Sequence, residues 1–333
     1  MPSLATSYLG LSLAHPIVPG ASPIADYMDR VLLLEDAGAS AVVMRSIFEE
    51  QAALEQLKAY HPVDPSTDDE PMTVRAGSDV FALGLDTYAD QIRRIRERTK
   101  LGVIGSLNGT TRGGWLDYAA RLEEAGAHAL ELNLYAVVTD PGRDSADVER
   151  EQLAVVADLQ RAVRIPLAAK LSPYYSALPQ FVRALEAAGA KAAVLFNRFY
   201  QSDIDPVRLQ AVRELRPSTP DELLLRLRWL AILSTQTRLP LAASGGVHGP
   251  LDVVKALMAG AQAVQVVSSL LQYGPKHVTV LVDGLRRFLD EHGYDSVDAV
   301  RGCMNLERAP DPTAYQRSDY IQLLRTWRGR FGV

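Results

Sequence analysis

Several residue types in this sequence are spaced so that they could act on a small molecule. The segment Ser244-Gly245-Gly246-Val247-His248-Gly249-Pro250 sets two glycines between a short apolar run and an amphipathic stretch. Backbone N–H groups at such a turn, beside a helix N-terminus, bind phosphate, and a Cβ would hold the anion away. Ser268 and Ser269 end the next apolar run with hydroxyls. The plainer reading of Gly245-Gly246 is a tight turn. Lys170 closes Pro166-Leu167-Ala168-Ala169-Lys170. An ammonium among apolar neighbours must leave the core or find a partner. It suits an anionic ring or an imine, unless it merely snorkels at a strand end. Asn108, Asn133 and Asn197 each fall at or near the end of an apolar run. An asparagine offers a donor and an acceptor to the edge of a flavin-like or pyrimidine-like ring, although a single one reads as a turn cap. Ser22, Arg45 and Ser46 end the first two runs. The guanidinium of Arg45 is an anion or ring partner, or the counterion of Glu49 or Glu50. The six histidines are scattered without metal-ligand spacing, and His128, at the start of a run, reads as structural. Cys303 is a poor candidate nucleophile.

These residues need a frame, and a repeat supplies it. Leu34-Glu35-Asp36-Ala37-Gly38-Ala39, Leu122-Glu123-Glu124-Ala125-Gly126-Ala127, Leu185-Glu186-Ala187-Ala188-Gly189-Ala190 and Leu257-Met258-Ala259-Gly260-Ala261 each precede a short apolar run. Each glycine suits the left-handed position that ends a helix, and each run suits a parallel strand covered on both faces. With the remaining runs the spacing predicts eight strands, at 17–22, 41–47, 102–108, 129–135, 167–172, 192–199, 241–247 and 263–269. Helical stretches are predicted between them, at 26–35, 88–99, 115–125, 148–163, 178–188, 223–234 and 251–258. Eight strands alternating with helices is the count of a (β/α)8 barrel, with a doubly wound sheet as the alternative. No linker divides the chain, so a single domain over 1–333 is expected, with lid-like insertions at about 48–84 and 200–220. Both insertions leave C-terminal strand ends, where barrel sites lie.

Composition narrows the function classes. With 47% hydrophobic and 23% charged residues the chain can bury a large core. A formal charge of -5 gives no footprint for nucleic acid or an anionic membrane surface. One cysteine admits no intrachain disulfide and fits a reducing compartment. No basic region followed by an apolar stretch opens the chain, and no apolar run is long enough to span a bilayer, so a cytoplasmic protein is expected.

At these residues the sequence resembles the dihydroorotate dehydrogenases, in particular their soluble class 1 branch, over most of its length. The opening turn of that family matches Gly20, Ala21, Ser22 and Pro23, and its flavin-contacting lysine segment matches Met44, Arg45 and Ser46. Its Glu-Leu-Asn-Leu-Ser-Cys-Pro-Asn motif falls on Glu131 to Val138. Its strand lysine matches Lys170, its Asn-Ser pair Asn197 and Arg198, its glycine pair Gly245 and Gly246, and its final Gly-Thr Val267 and Ser268. The resemblance implies bound FMN held by Ala21, Ser22, Arg45, Ser46, Asn108, Asn133, Lys170, Gly245, Gly246 and Ser268. It implies a small cyclic substrate at Asn133, Asn197 and Arg198. It departs at the chemistry. The family's proton-abstracting cysteine is Ala136 here, its substrate asparagine is Val138, and its flavin lysine is Arg45.

The expectation is therefore an FMN-dependent oxidoreductase that passes hydride between dihydroorotate, or an analogue, and flavin N5. Tyr135, Tyr200 and Tyr175 are the nearest acid–base candidates by strand position, each equally readable as a wall of the pocket. Two alternatives stay open: a phosphosugar lyase or synthase using Lys170, and a non-catalytic flavin-binding subunit. The resemblance also suggests a homodimer, or a partner subunit for electron transfer.

Overall fold

The computed structural model describes residues 1–48, 84–108, 115–198, 201–316 and 324. An antiparallel hairpin opens the chain, β1 (Thr6–Tyr8) and β2 (Leu11–Leu13). Leu9 and Gly10 form its two-residue turn with φ of 50° and 75°, the pair of positive angles that matches the twist of two strands. There follow β3 (Ile17–Pro19), α1 (Met28–Asp36), β4 (Ala41–Val43) and the short β5 (Ile47–Phe48). Then come α2 (Leu85–Arg98), β6 (Gly102–Asn108), α3 (Trp115–Glu124), β7 (Ala129–Asn133), α4 (Ser145–Ala162) and β8 (Leu167–Leu171). The chain continues through α5 (Leu178–Ala187), β9 (Ala192–Leu195), a hairpin of β10 (Asp203–Asp205) and β11 (Gln210–Val212), and α6 (Leu223–Leu233). Next come β12 (Leu241–Ser244), α7 (Pro250–Met258), β13 (Ala263–Val266), α8 (Ser268–Tyr273) and α9 (His277–Glu291), followed by two short helices, Val297–Val300 and Thr313–Gln316.

Strands β3, β13, β12, β9, β8, β7, β6 and β4 pair in that order, all in parallel, and β5 extends the ladder on β6. β3 and β4 lie side by side at the two ends of the ladder, so the sheet is a nearly closed eight-stranded barrel with helices between its strands. The open-sheet alternative is thereby set aside.

The predicted repeat has a local physical cause. In each unit the glycine takes a left-handed φ: 95° at Gly38, 97° at Gly126, 101° at Gly189 and 113° at Gly260. The alanine after it then donates its N–H back five residues, Ala39 to Leu34 at 3.0 Å, Ala127 to Leu122 at 3.0 Å, Ala190 to Leu185 at 3.1 Å and Ala261 to Ala256 at 2.9 Å. This is the 6→1 bond that ends a helix and turns the chain into the next strand.

Alternation along the strands separates an outer core from the barrel interior. The interior cluster contains Val18, Val43, Ile104, Val194 and the alanines 41, 129, 168, 192, 242 and 263, packed with Tyr8, Leu9 and Leu13 of the first hairpin. Four of those alanines open their strands, so the hairpin plugs the N-terminal end of the barrel, and small residues leave it room. The hairpin carries no helix-barrel signature and was not among the predicted elements. Two residues beyond Ile104, Ala129, Ala168, Ala242 and Ala263 the inward positions become polar, with Ser106, Glu131, Lys170, Ser244 and Gln265. The observed strands are shorter than predicted because residues 20–22, 44–46, 134–135, 245–247 and 267 turn outward into loops. Those loops carry the candidate site residues. Of the two insertions, 49–83 lies outside the described residues, and 201–220 holds the β10–β11 hairpin.

Candidate functional site

A cavity of about 400 Å³ opens at the C-terminal ends of the strands. Every predicted cofactor position borders it, Ala21, Ser22, Arg45, Ser46, Asn108, Asn133, Lys170, Gly245, Gly246 and Ser268, and so do Asn197, Arg198 and Tyr135. Tyr200 lies outside the described residues. Tyr175 is elsewhere: its hydroxyl donates to Gln152 Oε1 at 2.8 Å, and its ring stacks on Phe181 with centroids 4.1 Å apart. Burial, then the Glu149 charge, pushes its hydroxyl pKa up, as befits a packing residue. Two wider hollows of about 590 and 680 Å³ lie between α5 and residues 235–238 and share no lining residue with this cavity. The carboxylate there, Glu186, already accepts from the Thr237 hydroxyl and the Arg238 N–H.

The floor of the cavity is built by inward-pointing strand residues. Lys170 on β8 donates to Glu131 Oε1 of β7 at 3.1 Å and to Gln265 Oε1 of β13 at 3.1 Å, and the Gln265 amide donates to Glu131 Oε2. The Lys170 ammonium has therefore found the partner its apolar neighbours demanded. Beside it, Asn133 Nδ2 lies 2.9 Å from Ser46 Oγ, 3.0 Å from Ser106 Oγ and 3.0 Å from the Leu107 carbonyl oxygen. Ser46 and Ser106 share a hydrogen bond of 2.8 Å, and the Ser106 N–H donates to Tyr88 Oη at 3.0 Å. This network fixes the orientation of the Asn133 amide. Arg45 pairs with Asp26 at 2.8 Å. Burial raises the Asp26 carboxyl pKa, and the charge and hydrogen bond of Arg45 pull it back. Glu49 and Glu50, the partners first suggested for Arg45, are outside the described residues.

The glycine turn sits at another side of the cavity. Gly245 and Gly246 have φ of 94° and 80°, a conformation that glycine adopts at least cost. Space matters too, on the side that faces α6. A Cβ on Gly246 would lie 2.4 Å from the Leu223 nitrogen, and one on Gly245 would lie 2.9 Å from Arg226 Nη2. The predicted reason for the glycines, backbone approach to an anion, is thus joined by close packing on α6. The N-terminus of α7 is also closed, because Asp252 Oδ2 accepts from the N–H groups of His248 at 3.0 Å and Gly249 at 2.9 Å. The turn and Ser268, not α7, are what border the cavity. Ser218 joins them: its N–H and hydroxyl donate to Ser268 Oγ at 2.9 and 2.8 Å, and its Oγ accepts from the Gly246 N–H at 3.2 Å. Arg198 pairs with Glu222 at 3.4 Å.

Glu131, Gln265, Ser106 and Ser218 did not come out of the sequence. The first three had a signal, since each stands two residues beyond an inward apolar residue, Ala129, Ala263 or Ile104, as Lys170 stands beyond Ala168. Ser218 had none beyond the turn residues around it. His128 is structural as expected, its Nδ1 accepting the Val103 N–H at 2.9 Å. Among the described residues no group of three or more His, Cys, Asp or Glu could hold a metal, and no helix is long and apolar enough to cross a membrane.

The arrangement suits a flat, phosphorylated ring system. Its volume is in the range of small-molecule sites, with a cation and fixed amides on the floor and a glycine turn with hydroxyls at the side. Among the described residues bordering the cavity there is no carboxylate, histidine or cysteine. Ala136 leaves β7 as a methyl group, and its neighbours Val137 and Val138 are exposed.

Residues 4–289 match the family model described as dihydroorotate dehydrogenase. A putative dihydroorotate dehydrogenase A (fumarate) of Aeropyrum pernix is 31% identical over 320 residues, which is 90% of this chain and 97% of the relative. The catalytic subunit of dihydroorotate dehydrogenase B (NAD(+)) of Thermoplasma acidophilum is 27% identical over 318 residues, 91% of this chain and 99% of the relative. An NAD-dependent dihydropyrimidine dehydrogenase subunit PreA of Escherichia coli is 22% identical over 333 residues, 92% of this chain and 78% of the relative.

Proposed function

The chain belongs to the dihydroorotate dehydrogenase family, oxidoreductases that are in general flavin-dependent, and on that premise we propose that it uses FMN to act on a CH–CH bond of a small cyclic substrate, dihydroorotate or an analogue. The observation that carries the reading is the convergence of Lys170, Asn133 and the Gly245-Gly246 turn on one cavity at the strand ends. FMN supplies a ring that accepts or returns a hydride. The residues of this chain do the rest. Gly245, Gly246 and Ser268 hold the phosphate, with Ala21 and Ser22 along the same wall. Lys170 and Asn133, each fixed by its network, face the ring edge with Asn108 and Ser46, and Arg45, steadied by Asp26, takes the place of a lysine. Asn197 and Arg198 orient the substrate, and the guanidinium favours one that carries an anionic group.

Ala136 cannot accept a proton, and Tyr135 beside it is the adjacent side chain that carries an exchangeable hydroxyl proton. The substrate is accordingly one whose proton is exchanged with Tyr135 or with water. An imine on Lys170 is disfavoured, since a neutral amine would leave the Glu131 carboxylate buried without its cation. The names of the relatives include a catalytic subunit and a subunit PreA, and a partner protein that takes or supplies electrons is part of the proposal, as is a homodimer.

The test is the visible spectrum of the purified protein, followed by anaerobic mixing with dihydroorotate. A flavin band that FMN restores after stripping supports the cofactor, and bleaching by dihydroorotate supports the substrate. A colourless protein that does not take up FMN refutes the reading. A flavin band that dihydroorotate leaves unchanged removes dihydroorotate and keeps an analogue.

A further inference from the structure

The ion pair under the cavity contains one charge more than the proposed reaction asks for. A cation beside a redox ring stabilises the ring when it is reduced and negative, and Lys170 alone would do so. Here a carboxylate lies 3.1 Å from that ammonium, with only 7% of the Lys170 side chain and 1% of that of Glu131 exposed. Burying a second charge is expensive, and removing a buried pair altogether is often neutral or favourable. Core stability is therefore a weak reason for Glu131 to be there. Its placement is also specific. Three strands, β7, β8 and β13, each contribute one inward residue to a closed triangle. Gln265 bridges both charged groups, accepting from the ammonium and donating to the carboxylate, so neither can rotate away without breaking two contacts. Among the described residues Lys170 is the cation paired with Glu131. Below it lie the apolar interior cluster and the enclosed Tyr8 hydroxyl.

We propose that Glu131, held by Gln265, is a positioning residue that sets the charge of the cavity floor and thereby the balance between oxidised and reduced flavin. It fixes the ammonium in place and cancels part of its charge, which keeps the reduced cofactor a strong electron donor. The inference rests on the FMN reading above and adds a determinant that the cofactor contacts alone do not contain.

The test compares FMN-loaded wild type, Glu131→Gln, Lys170→Met and the double variant by dye-equilibrated reductive titration, which reads the ratio of affinities for reduced and oxidised FMN. Glu131→Gln leaves the ammonium uncompensated and is expected to raise that ratio at least tenfold, an upward shift of about 30 mV for a two-electron couple. Lys170→Met is expected to lower it by a similar factor. The double variant, neutral at the floor like the wild type, is expected to return to within about threefold of it, the non-additivity of two coupled charges. A residue that only braces the fold would lower thermal stability and leave the ratio unmoved. Glu131→Gln within threefold of the wild type overturns the proposal, as does a double variant further from it than either single change. If Glu131→Gln does not fold, the double variant decides: agreement with the wild type supports the proposal, and agreement with Lys170→Met overturns it. A wild type that does not bind FMN fails the functional reading and this inference together, whereas bound FMN with unmoved ratios fails the inference alone.

Discussion

Gly246→Ala should injure stability and the anion side of the cavity together, and the structure lets the size of the effect be worked out. At φ of 80° an alanine bears the cost of the left-handed region, about 1–2 kcal/mol. Its new Cβ would stand 2.4 Å from the Leu223 nitrogen, 2.8 Å from the Leu223 Cα and 2.9 Å from its Cβ. The first two are backbone at the start of α6 and cannot swing aside, so an overpacking cost of about 1–3 kcal/mol is added. The sum is about 2–5 kcal/mol. Gly10→Ala provides the comparison, because Gly10 has nearly the same φ of 75° and nothing within 4 Å of an added Cβ. It should lose only the conformational part, about 1–2 kcal/mol. Urea unfolding of both variants without cofactor measures the difference as a shift in midpoint at constant slope. Because Gly246 donates to Ser218 Oγ, which is bonded to Ser268, displacing the turn should also weaken FMN at least tenfold and riboflavin, which has no phosphate, much less. A Gly246→Ala protein as stable as Gly10→Ala would refute the packing argument, and one with unchanged FMN affinity would refute the assignment of the turn.

Stability should also decline in acid. His15 is 3% exposed, its Nε2 bonded to the Gly38 carbonyl at 2.7 Å and its Nδ1 accepting the Ile17 N–H at 3.2 Å. A second ring proton would face the Ile17 N–H. Burial is the largest influence, and with the Arg286 charge it holds the folded pKa below 6.5 against the opposing hydrogen bond to Gly38. His128 is lowered too, by burial and then Arg96. The unfolded chain therefore binds these protons more readily, so stability is whole above pH 6.5 and falls below it, by at most about 1.4 kcal/mol per pH unit for each group. Urea midpoints at neutral and mildly acid pH should show this slope, and His15→Asn should flatten it; an unchanged slope would remove His15 as its source. Asp144 caps α4, its Oδ1 accepting from Ala146 N at 2.7 Å and Asp147 N at 3.1 Å. Asp144→Ala should lose about 1 kcal/mol with FMN affinity unchanged, and a change in affinity would contradict the separation of α4 from the site.

Much of this protein could be read before folding because its signals are local. A Gly-Ala pair after a helical stretch closes a 6→1 bond within six residues, so the four repeats at Gly38, Gly126, Gly189 and Gly260 declared both the helix ends and the strands that follow. The helix limits agree to within a few residues for the same reason. The placement of Lys170, Asn133 and Gly246 at the cavity was legible because barrel strands point their last residues at one face, wherever in the chain those strands lie. What the sequence could not supply were partners. Lys170 meets Glu131 and Gln265 from 39 and 95 positions away, and Arg45 meets Asp26 of the preceding βα loop. The Tyr8 hairpin had no reason to be a barrel plug until eight strands left it a hole lined by alanines. The sequence by itself determined the barrel and the rim that holds the candidate site, since both follow from rules that act within one turn or one strand. Only the tertiary structure decided which charges are compensated on the floor and what α6 forbids at Gly246, because closing the ring is what brings distant strands within bonding distance.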